Sequence, residues 1–305
     1  MYILFAVKLV IATGSPYDES IKVEVIDLEN DHISCSFPNF PTSKSGALGL
    51  QNGYQWPLIC GGESMARIKS DCHHLKNGSI FDLTGKRAVV SSINFEDKSV
   101  LLGGYDSNWN ALKTVEVFNH DSKIFSSKPD LPVTFTAGCA VKFKENFWIL
   151  GGKQDGSALS KQTWKSKHLE NWMSGPNLKQ NRCDHKCGVI SNHNLLFVIG
   201  GSTRFRNSKV EVLSATETEF EFGLDLPHEL SGMSVVSHPN GNSLVVSGGF
   251  DSRWVDQSKI WRLDCFSTNP NDCQWHQYKQ KMELPRHSHL SFFIKSSEFN
   301  CSSSN

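Results

Sequence analysis

Short apolar runs that end in a pair of glycines recur along the chain. The intact copies end at Gly61-Gly62, Gly103-Gly104, Gly151-Gly152, Gly200-Gly201 and Gly248-Gly249, and a degenerate copy ends at Gly14-Ser15. An apolar run of four residues is typical of a buried strand, and the glycines mark a point where the backbone needs positive φ or close approach. The pattern therefore predicts the same buried strand in each of six repeats.

The spacing and the residues around the glycines define the repeat. The first small residues of the pairs stand at positions 14, 61, 103, 151, 200 and 248, a period of about 42 to 49 residues, which is typical of propeller repeats. Alternating strands such as 115–118 and 210–213 follow, then outer strands such as 123–126, and Leu-Pro pairs at 131–132, 226–227 and 284–285 precede small-residue inner strands. We predict an all-β, six-bladed β-propeller with four strands in each blade.

The two ends of the chain are expected to close the ring. The chain begins at the second strand of its first blade, whereas 289–294 resembles an inner strand with only the polar tail 296–305 beyond it. We therefore predict a single domain over 1–295, with the last strand beside residues 10–13, so that no sheet edge stays exposed. The apolar start is also compatible with a signal peptide, but its second half fits the strand register, which limits a leader to about residues 1–6.

The double glycine, the polar loop and the Val-Glu-Val strand together resemble the kelch repeat family. The resemblance covers nearly all of the chain, although Glu63 replaces the usual aromatic residue after the second pair and Ser15 replaces a glycine in the first. Cys35, Cys60 and Cys72 stand in contexts similar to those of secreted invertebrate kelch-like proteins. The resemblance implies a kelch-type six-bladed propeller, closed by pairing of its C-terminal strand with its N-terminal strand.

Kelch proteins mostly bind other proteins, and a minority are enzymes. The resemblance thus implies a non-catalytic binding propeller for a protein or glycan, with no cofactor. One alternative is a channel-mouth enzyme acting on a sugar, since galactose oxidase and a sialic acid mutarotase share the fold, but the copper ligands of the oxidase find no match here. Another alternative is a cytosolic kelch scaffold, either an adaptor or an actin-binding protein.

Charge narrows the possible partners. Lysine plus arginine and aspartate plus glutamate number 31 each, so no overall field attracts nucleic acid. No run in the sequence reaches the length of a membrane span. We expect a monomer without nucleic acid, metal or membrane partners.

The loops after the glycine pairs carry the candidate binding residues. Because the chain reverses at each turn, these loops and the crossings between blades emerge at one end of the ring. Tyrosine, tryptophan and arginine are enriched among interface hot spots, which favours a binding role for these loops. The candidates are Tyr105, Trp109, Arg204, Phe205, Arg206, Arg253 and Trp254.

The similar runs 105–109 and 250–254 also allow a structural interpretation, in which the aspartate fixes the turn and the aromatic packs on the next blade. The best functional candidates are therefore the residues of 204–206.

The crossings carry a second set of candidates. Arg182, His185, Arg286 and His287 stand where they could surround the mouth of the channel and act in acid–base chemistry, or where the histidines could cap inner strands. We expect none of them to be catalytic. Cys183 and Cys187, which could belong to a metal or redox cluster, are interpreted as structural.

The cysteines and sequons favour an extracellular location, with a cytoplasmic one as the alternative. Nine cysteines allow up to four disulfides, and Cys60, Cys72, Cys265 and Cys273 flank turns that a bond could close. Asn77 and Asn300 stand in glycosylation sequons.

Overall fold

The computed structural model describes residues 6–15, 21–30, 33–34, 37–155, 158–203, 205–216, 218–299 and 302–303. Strands dominate these residues, and the described helices are three short 3-10 turns, at Ser191–His193, Pro270–Asp272 and Ser296–Glu298. The described strands form six main antiparallel sheets arranged around a channel, together with three two-stranded sheets, which confirms the prediction of an all-β, six-bladed propeller.

The first three blades are built as follows. Blade 1 contains β1 (Val7–Ala12), β2 (Glu24–Ile26) and β3 (Ile33–Ser34). Blade 2 contains β4 (Leu48–Leu50), β5 (Leu58–Cys60), the hairpin of β6 (Glu63–Ser64) and β7 (Arg67–Ile68), β8 (Asp71–His74) and β9 (Ile80–Asp82). Blade 3 contains β10 (Ser91–Phe95), β11 (Lys98–Leu102), β12 (Val115–Asn119) and β13 (Ile124–Lys128).

The last three blades repeat this order. Blade 4 contains β14 (Phe135–Thr136), β15 (Cys139–Phe143), β16 (Asn146–Leu150), β17 (Lys153–Gln154), β18 (Thr163–Ser166) and β19 (Met173–Ser174). Blade 5 contains β20 (Lys186–Ile190), β21 (Leu195–Ile199), β22 (Val210–Ser214) and β23 (Glu221–Phe222). Blade 6 contains β24 (Ser234–Ser237), β25 (Ser243–Ser247), β26 (Lys259–Cys265) and β27 (Cys273–Lys281).

The end of the chain returns to blade 1. Strand β28 (Leu290–Lys295) lies antiparallel to β1, with Leu290 opposite Ala12 and Phe292 opposite Val10. The segment 296–305, expected to be a polar tail, is not separate from the propeller in the part that the structure describes. Phe299 packs on Trp56 with ring centroids 5.0 Å apart, and β29 (Ser302–Ser303) pairs with β3.

Apolar side chains fill the spaces between neighbouring blades. One cluster joins Phe143, Trp148 and Leu150 of blade 4 to Leu196 and Phe220 of blade 5, and all five are buried. Each blade therefore buries its faces only against its neighbours, as expected for a repeat protein.

The glycine pairs allow the backbones of successive blade elements to approach closely. Gly103 has φ +61°, and a Cβ atom there would lie 2.1 Å from the carbonyl oxygen of Phe135. No other residue fits this site without moving the backbone, which explains why the pair recurs.

A belt of backbone hydrogen bonds joins the blades where the chain crosses from one to the next. The crossing residues, which all have positive φ, are Gly46, Val89, Ala137, Asp184, Gly232 and Ser288. In five of these six residues, the backbone N–H donates to the carbonyl oxygen of the preceding crossing residue. Asp184 donates in this way to Ala137, and Ser288 to Gly232, both at 2.7 Å. We call these six residues the crossing belt.

Candidate functional site

The loops after the glycine pairs lie at the same end of the ring as the crossings. Isolated bridges join the two sets in several blades, including Ala88 to Tyr105, Cys183 to Ser202 and Ser231 to Phe250. We call this end of the ring the loop face.

Two loops on this face have the same internal structure. Oδ1 of Asp106 accepts the N–H groups of Asn108 and Asn110 at 2.8 and 2.9 Å, and these bonds lower the pKa of Asp106. Oδ1 of Asp251 accepts those of Arg253 and Val255 at 2.9 and 3.0 Å. The aspartates therefore fix the turns, as their sequence similarity suggests.

Each tryptophan of these loops packs on the first aromatic residue of its own loop, and Tyr105 also contacts the next blade, where its hydroxyl accepts from Oγ1 of Thr136 at 3.1 Å. The ring centroids of Tyr105 and Trp109 are 5.6 Å apart, and Trp109 is 49% exposed. Those of Phe250 and Trp254 are 5.4 Å apart with nearly parallel planes, and Trp254 is 74% exposed. Both tryptophans thus keep large surfaces available to a partner.

Arg206 connects the blade 5 loop to the blade 6 loop. Its guanidinium carbon lies 3.3 Å from the centroid of the Trp254 ring and 4.6 Å from that of Phe250. His287 contacts Phe250 edge-on at 4.7 Å, and its Nδ1 lies 2.6 Å from Oδ1 of Asp256. We call Arg206, Phe250, Trp254, Asp256 and His287 the aromatic cluster.

The other predicted binding residues lie around or outside this cluster. Phe205 precedes Arg206 in the chain and is 72% exposed, and Arg253 forms an exposed ion pair with Asp251 at 3.3 Å. Tyr105 and Trp109 belong to blade 3, three blades away from Trp254. Arg204 lies outside the described residues. The structure therefore brings together Arg206 and Trp254, and adds Phe250 and Asp256, which the sequence did not indicate as a set.

Arg182 and Arg286, expected at the channel mouth, are structural residues buried within the blades. Nη1 of Arg182 donates to the carbonyls of Gly200 and Lys209, both at 2.8 Å, and Nη2 donates to Glu211 at 2.6 Å. Arg286 repeats this with Thr13, Lys22 and Glu24. Each guanidinium anchors the third strand of its blade to the crossing, and neither reaches solvent.

His185 is also buried, although its segment borders the channel. Its Nε2 lies 3.0 Å from the carbonyl oxygen of Leu150, and burial together with the nearby Arg182 charge lowers its pKa to about 3. A neutral imidazole that donates to a backbone carbonyl is not available for proton transfer. Of the four residues expected at the mouth, only His287 has a partly exposed side chain, and it belongs to the aromatic cluster.

The channel itself holds one residue that sequence reasoning missed. Lys186 pairs with Ile199, the residue before Gly200, so it occupies a register position that recurs in every blade. The equivalent residues are Leu48, Ser91, Cys139, Ser234 and Leu290. Alignment of the repeats on their glycine pairs would have shown that Lys186 is the charged exception.

Three disulfides occur among the described residues. Cys60 is bonded to Cys72 and Cys265 to Cys273, each between paired strands of one blade. Cys139 is bonded to Cys187 of the neighbouring blade, a pairing that the sequence did not suggest. Cys183 is a buried thiol, and burial raises its pKa to about 12, which disfavours the reactive thiolate form.

Surface chemistry elsewhere is limited. Asn77 lies in an exposed turn, where its side chain accepts the N–H of Ser79, and Asn300 lies outside the described residues. Within the described ranges, no cluster of three or more histidine, cysteine or acidic side chains is arranged to hold a metal ion. No described helix is long and apolar enough to cross a membrane.

Comparison with known proteins places the chain among propellers. No sequence-family model matches it. It is 24% identical over 204 residues to spermatocyte protein spe-26 of Caenorhabditis elegans, covering 63% of this chain and 35% of that protein. It is 23% identical over 257 residues to kelch repeat and BTB domain-containing protein 1 of Ectromelia virus (strain Moscow), covering 82% of this chain and 42% of that protein.

The chain therefore spans well under half of these relatives. The solved structure of YjhT superposes with a TM-score of 0.70 at 12% identity, covering 84% of this chain and 91% of YjhT, and so supports the fold. The glycine-pair repeats, the six blades and the kelch-repeat relative agree, and the protein is a six-bladed β-propeller that is similar to kelch-repeat proteins.

Proposed function

We propose that this propeller is a non-catalytic binding module that recognises a protein partner with the aromatic cluster of its loop face. The observation that carries the proposal is the stack of Arg206 on the 74% exposed Trp254 ring. Tryptophan and arginine dominate interface hot spots because they combine a large contact area with directed polar groups. The kelch-repeat relative supports a binding role.

The cluster is prepared for binding before the partner arrives. Asp251 fixes the backbone that carries Trp254, and the ring is held between the Phe250 contact and the guanidinium of Arg206. A side chain that is already ordered loses little conformational freedom on binding. Phe205, exposed beside Arg206 in sequence, extends the apolar surface that a partner would cover.

Three of the candidate groups for the sugar-enzyme alternative are not accessible to a substrate. Arg182, Arg286 and His185 are buried and bonded to backbone or carboxylate acceptors, so they have no free face toward a substrate. A glycan ligand for the aromatic cluster is one outcome of the crosslinking test below.

We further propose an extracellular location. Disulfides persist in oxidising compartments and are rare in the cytosol, and three are formed among the described cysteines. A count of free thiols, with and without reductant, on protein from its native compartment tests this. Protein whose Cys60, Cys72, Cys139 and Cys187 all react without reductant would favour the cytosolic scaffold.

The binding proposal is tested by site-specific photo-crosslinking. A photoreactive residue replaces Phe205, and a control protein carries it at Phe222, which is exposed on the outer strand of blade 5. We expect a discrete protein adduct from the first position only, and its loss in an Arg206→Ala background. Adducts that deglycosylation removes would indicate a glycan ligand, and equal adducts at both positions would overturn the assignment.

The identified partner then allows affinity to be measured. Arg206→Ala and Trp254→Ala should each weaken binding by about 10-fold or more, as expected of hot-spot residues. Trp109→Ala, on the similar loop of blade 3, is the matched control. Equal losses in all three variants would instead indicate a ligand that covers the whole loop face.

A further inference from the structure

The central channel contains a cavity lined by the inner strands of all six blades. Its volume is about 220 Å³, and a second cavity of about 130 Å³ adjoins it toward the loop face. Lys186, Ser91 and His289 border both cavities, so the two form a continuous space. The lining of the larger cavity is mainly serine, glycine and aliphatic residues, to which Lys186 contributes the one cationic amine among the described residues.

Lys186, whose side chain is half-buried in the channel, differs from the buried cations of the protein. Lys8, Lys44, Arg87, Arg182 and Arg286 each have a carboxylate oxygen within 2.9 Å. For Lys186, no described side chain lies within hydrogen-bonding or ion-pair distance of Nζ. Burial lowers the pKa of the Lys186 ammonium, and the charge of Asp184 opposes this only in part. Partial removal of a cation from water without a counter-charge costs free energy, so a ligand that pairs with the Lys186 ammonium would be bound favourably.

The neighbouring blade supplies a second polar group. Ser234 occupies the same register position in blade 6, and β24 packs beside β20. Among the described residues, no group bonds its hydroxyl, whereas the Ser91 and Ser92 hydroxyls donate to the carbonyls of Gly138 and Gly49. The Ser234 hydroxyl is thus free to donate in the same cavity as the Lys186 amine.

We propose that Lys186 and Ser234 form a binding site for a small carboxylate anion inside the channel. The ammonium pairs with the carboxylate, and the hydroxyl donates to it. The larger cavity, which Lys186 and Ser234 both line, is smaller at about 220 Å³ than the roughly 300 Å³ at which pockets for drug-sized ligands begin, so the site takes a small molecule. Glu63 and Asp184 line the adjoining cavity on the side of the loop face, and their charges disfavour multiply charged anions. The site is distinct from the aromatic cluster.

Trifluoroacetate is a suitable probe because its fluorine resonance reports binding directly. We expect its ¹⁹F line to broaden with the wild-type protein and to stay narrow with Lys186→Met. Lys86→Met, which removes an exposed lysine, is the matched control and should behave as wild type. Trifluoroethanol is neutral and of similar size, and its ¹⁹F line should stay narrow with all of the proteins.

A second measurement separates specific binding from a general salt effect. Sodium acetate at about 10 times its dissociation constant should raise the stability of the wild type through ligand linkage, by about RT ln 11, and should leave Lys186→Met unchanged. Lys186→Gln serves for both measurements if the methionine variant fails to fold. Equal broadening by wild type and the Lys186 variants, or none with wild type, would overturn the proposal.

Discussion

Arg182 donates from Nη2 to Oε1 of Glu211 at 2.6 Å, and neither side chain reaches solvent. The same geometry joins Arg286 to Glu24 in blade 1. In both blades the cation comes from the crossing and the carboxylate from the third strand. Phe135 and Leu230 stand at the equivalent crossing positions of blades 4 and 6. They make apolar contacts there in place of an ion pair.

The first prediction concerns this pair. Glu211→Ala leaves the Arg182 guanidinium buried without a counter-charge, so the free energy of unfolding should fall by about 3–5 kcal/mol. Urea denaturation measures the change. Glu221→Ala, which removes an exposed partner of Lys179, should change stability by less than about 0.5 kcal/mol. Equal effects of the two substitutions would show that the buried pair contributes no more to the free energy of unfolding than the exposed pair does.

The second prediction is a loss of stability in acid. The pKa of His185 lies at about 3, so the folded protein keeps the ring neutral while the unfolded chain takes up a proton below about pH 6.5. Stability should therefore fall as the pH drops from about 6.5 to about 3, by up to about 1.4 kcal/mol per pH unit for this group, and should not depend on it above pH 6.5.

Histidine replacement tests this directly. His185→Gln should flatten the dependence of the urea midpoint on pH between 6.5 and 4, whereas His168→Gln, on the surface, should leave the slope as it is. Burial also lowers the pKa of His289, so part of the slope should persist in His185→Gln. An unchanged slope in His185→Gln would contradict the assignment.

The third prediction concerns the bond between blades 4 and 5. Cys139 and Cys187 are 48 residues apart, whereas Cys265 and Cys273 are 8 apart within one hairpin. Because a longer closed loop restricts the unfolded chain more, replacing the first pair by serine should cost about 1–2 kcal/mol more than replacing the second. Chemical denaturation under non-reducing conditions gives both values. A larger loss from the hairpin pair would indicate that packing, not chain entropy, dominates.

The fourth prediction concerns the return strand. Deletion of residues 289–295 removes β28 and leaves the inner edge of β1 without its partner, so the protein should unfold or form oligomers. Size-exclusion chromatography and thermal melting measure the outcome. Glu298→Ala removes only the bonds to Trp56 and Lys76, and should leave a monomer with a small change in melting temperature. A monomeric deletion protein with unchanged melting would show that β28 does not hold the ring.

Sequence patterns predicted the blade number and strand order because each glycine pair marks a local backbone requirement. The partners of Arg182 and Arg286 were not predictable in this way, since the carboxylates are 29 and 262 residues away in the sequence. Only the tertiary structure brings them next to the arginines. Cys187 lies one register position beyond the equivalent of Cys139, so repeat alignment gave no sign of their bond. The stack of Arg206 on Trp254 depends on the meeting of two loops from different blades.

The crossing belt gives the molecule a property that a linear repeat array lacks. A solenoid has two terminal repeats, each with one neighbour, and it frays from them. Here five of the six crossing residues donate to the preceding one, as Gly46 does to Ser288 and Val89 to Gly46, and an apolar cluster joins blades 3 and 4. Every blade therefore has two neighbours. When the contact between two blades opens, both blades stay held by their other neighbours, so the chain gains little conformational entropy. Loss of structure should consequently be a collective event that involves the whole ring.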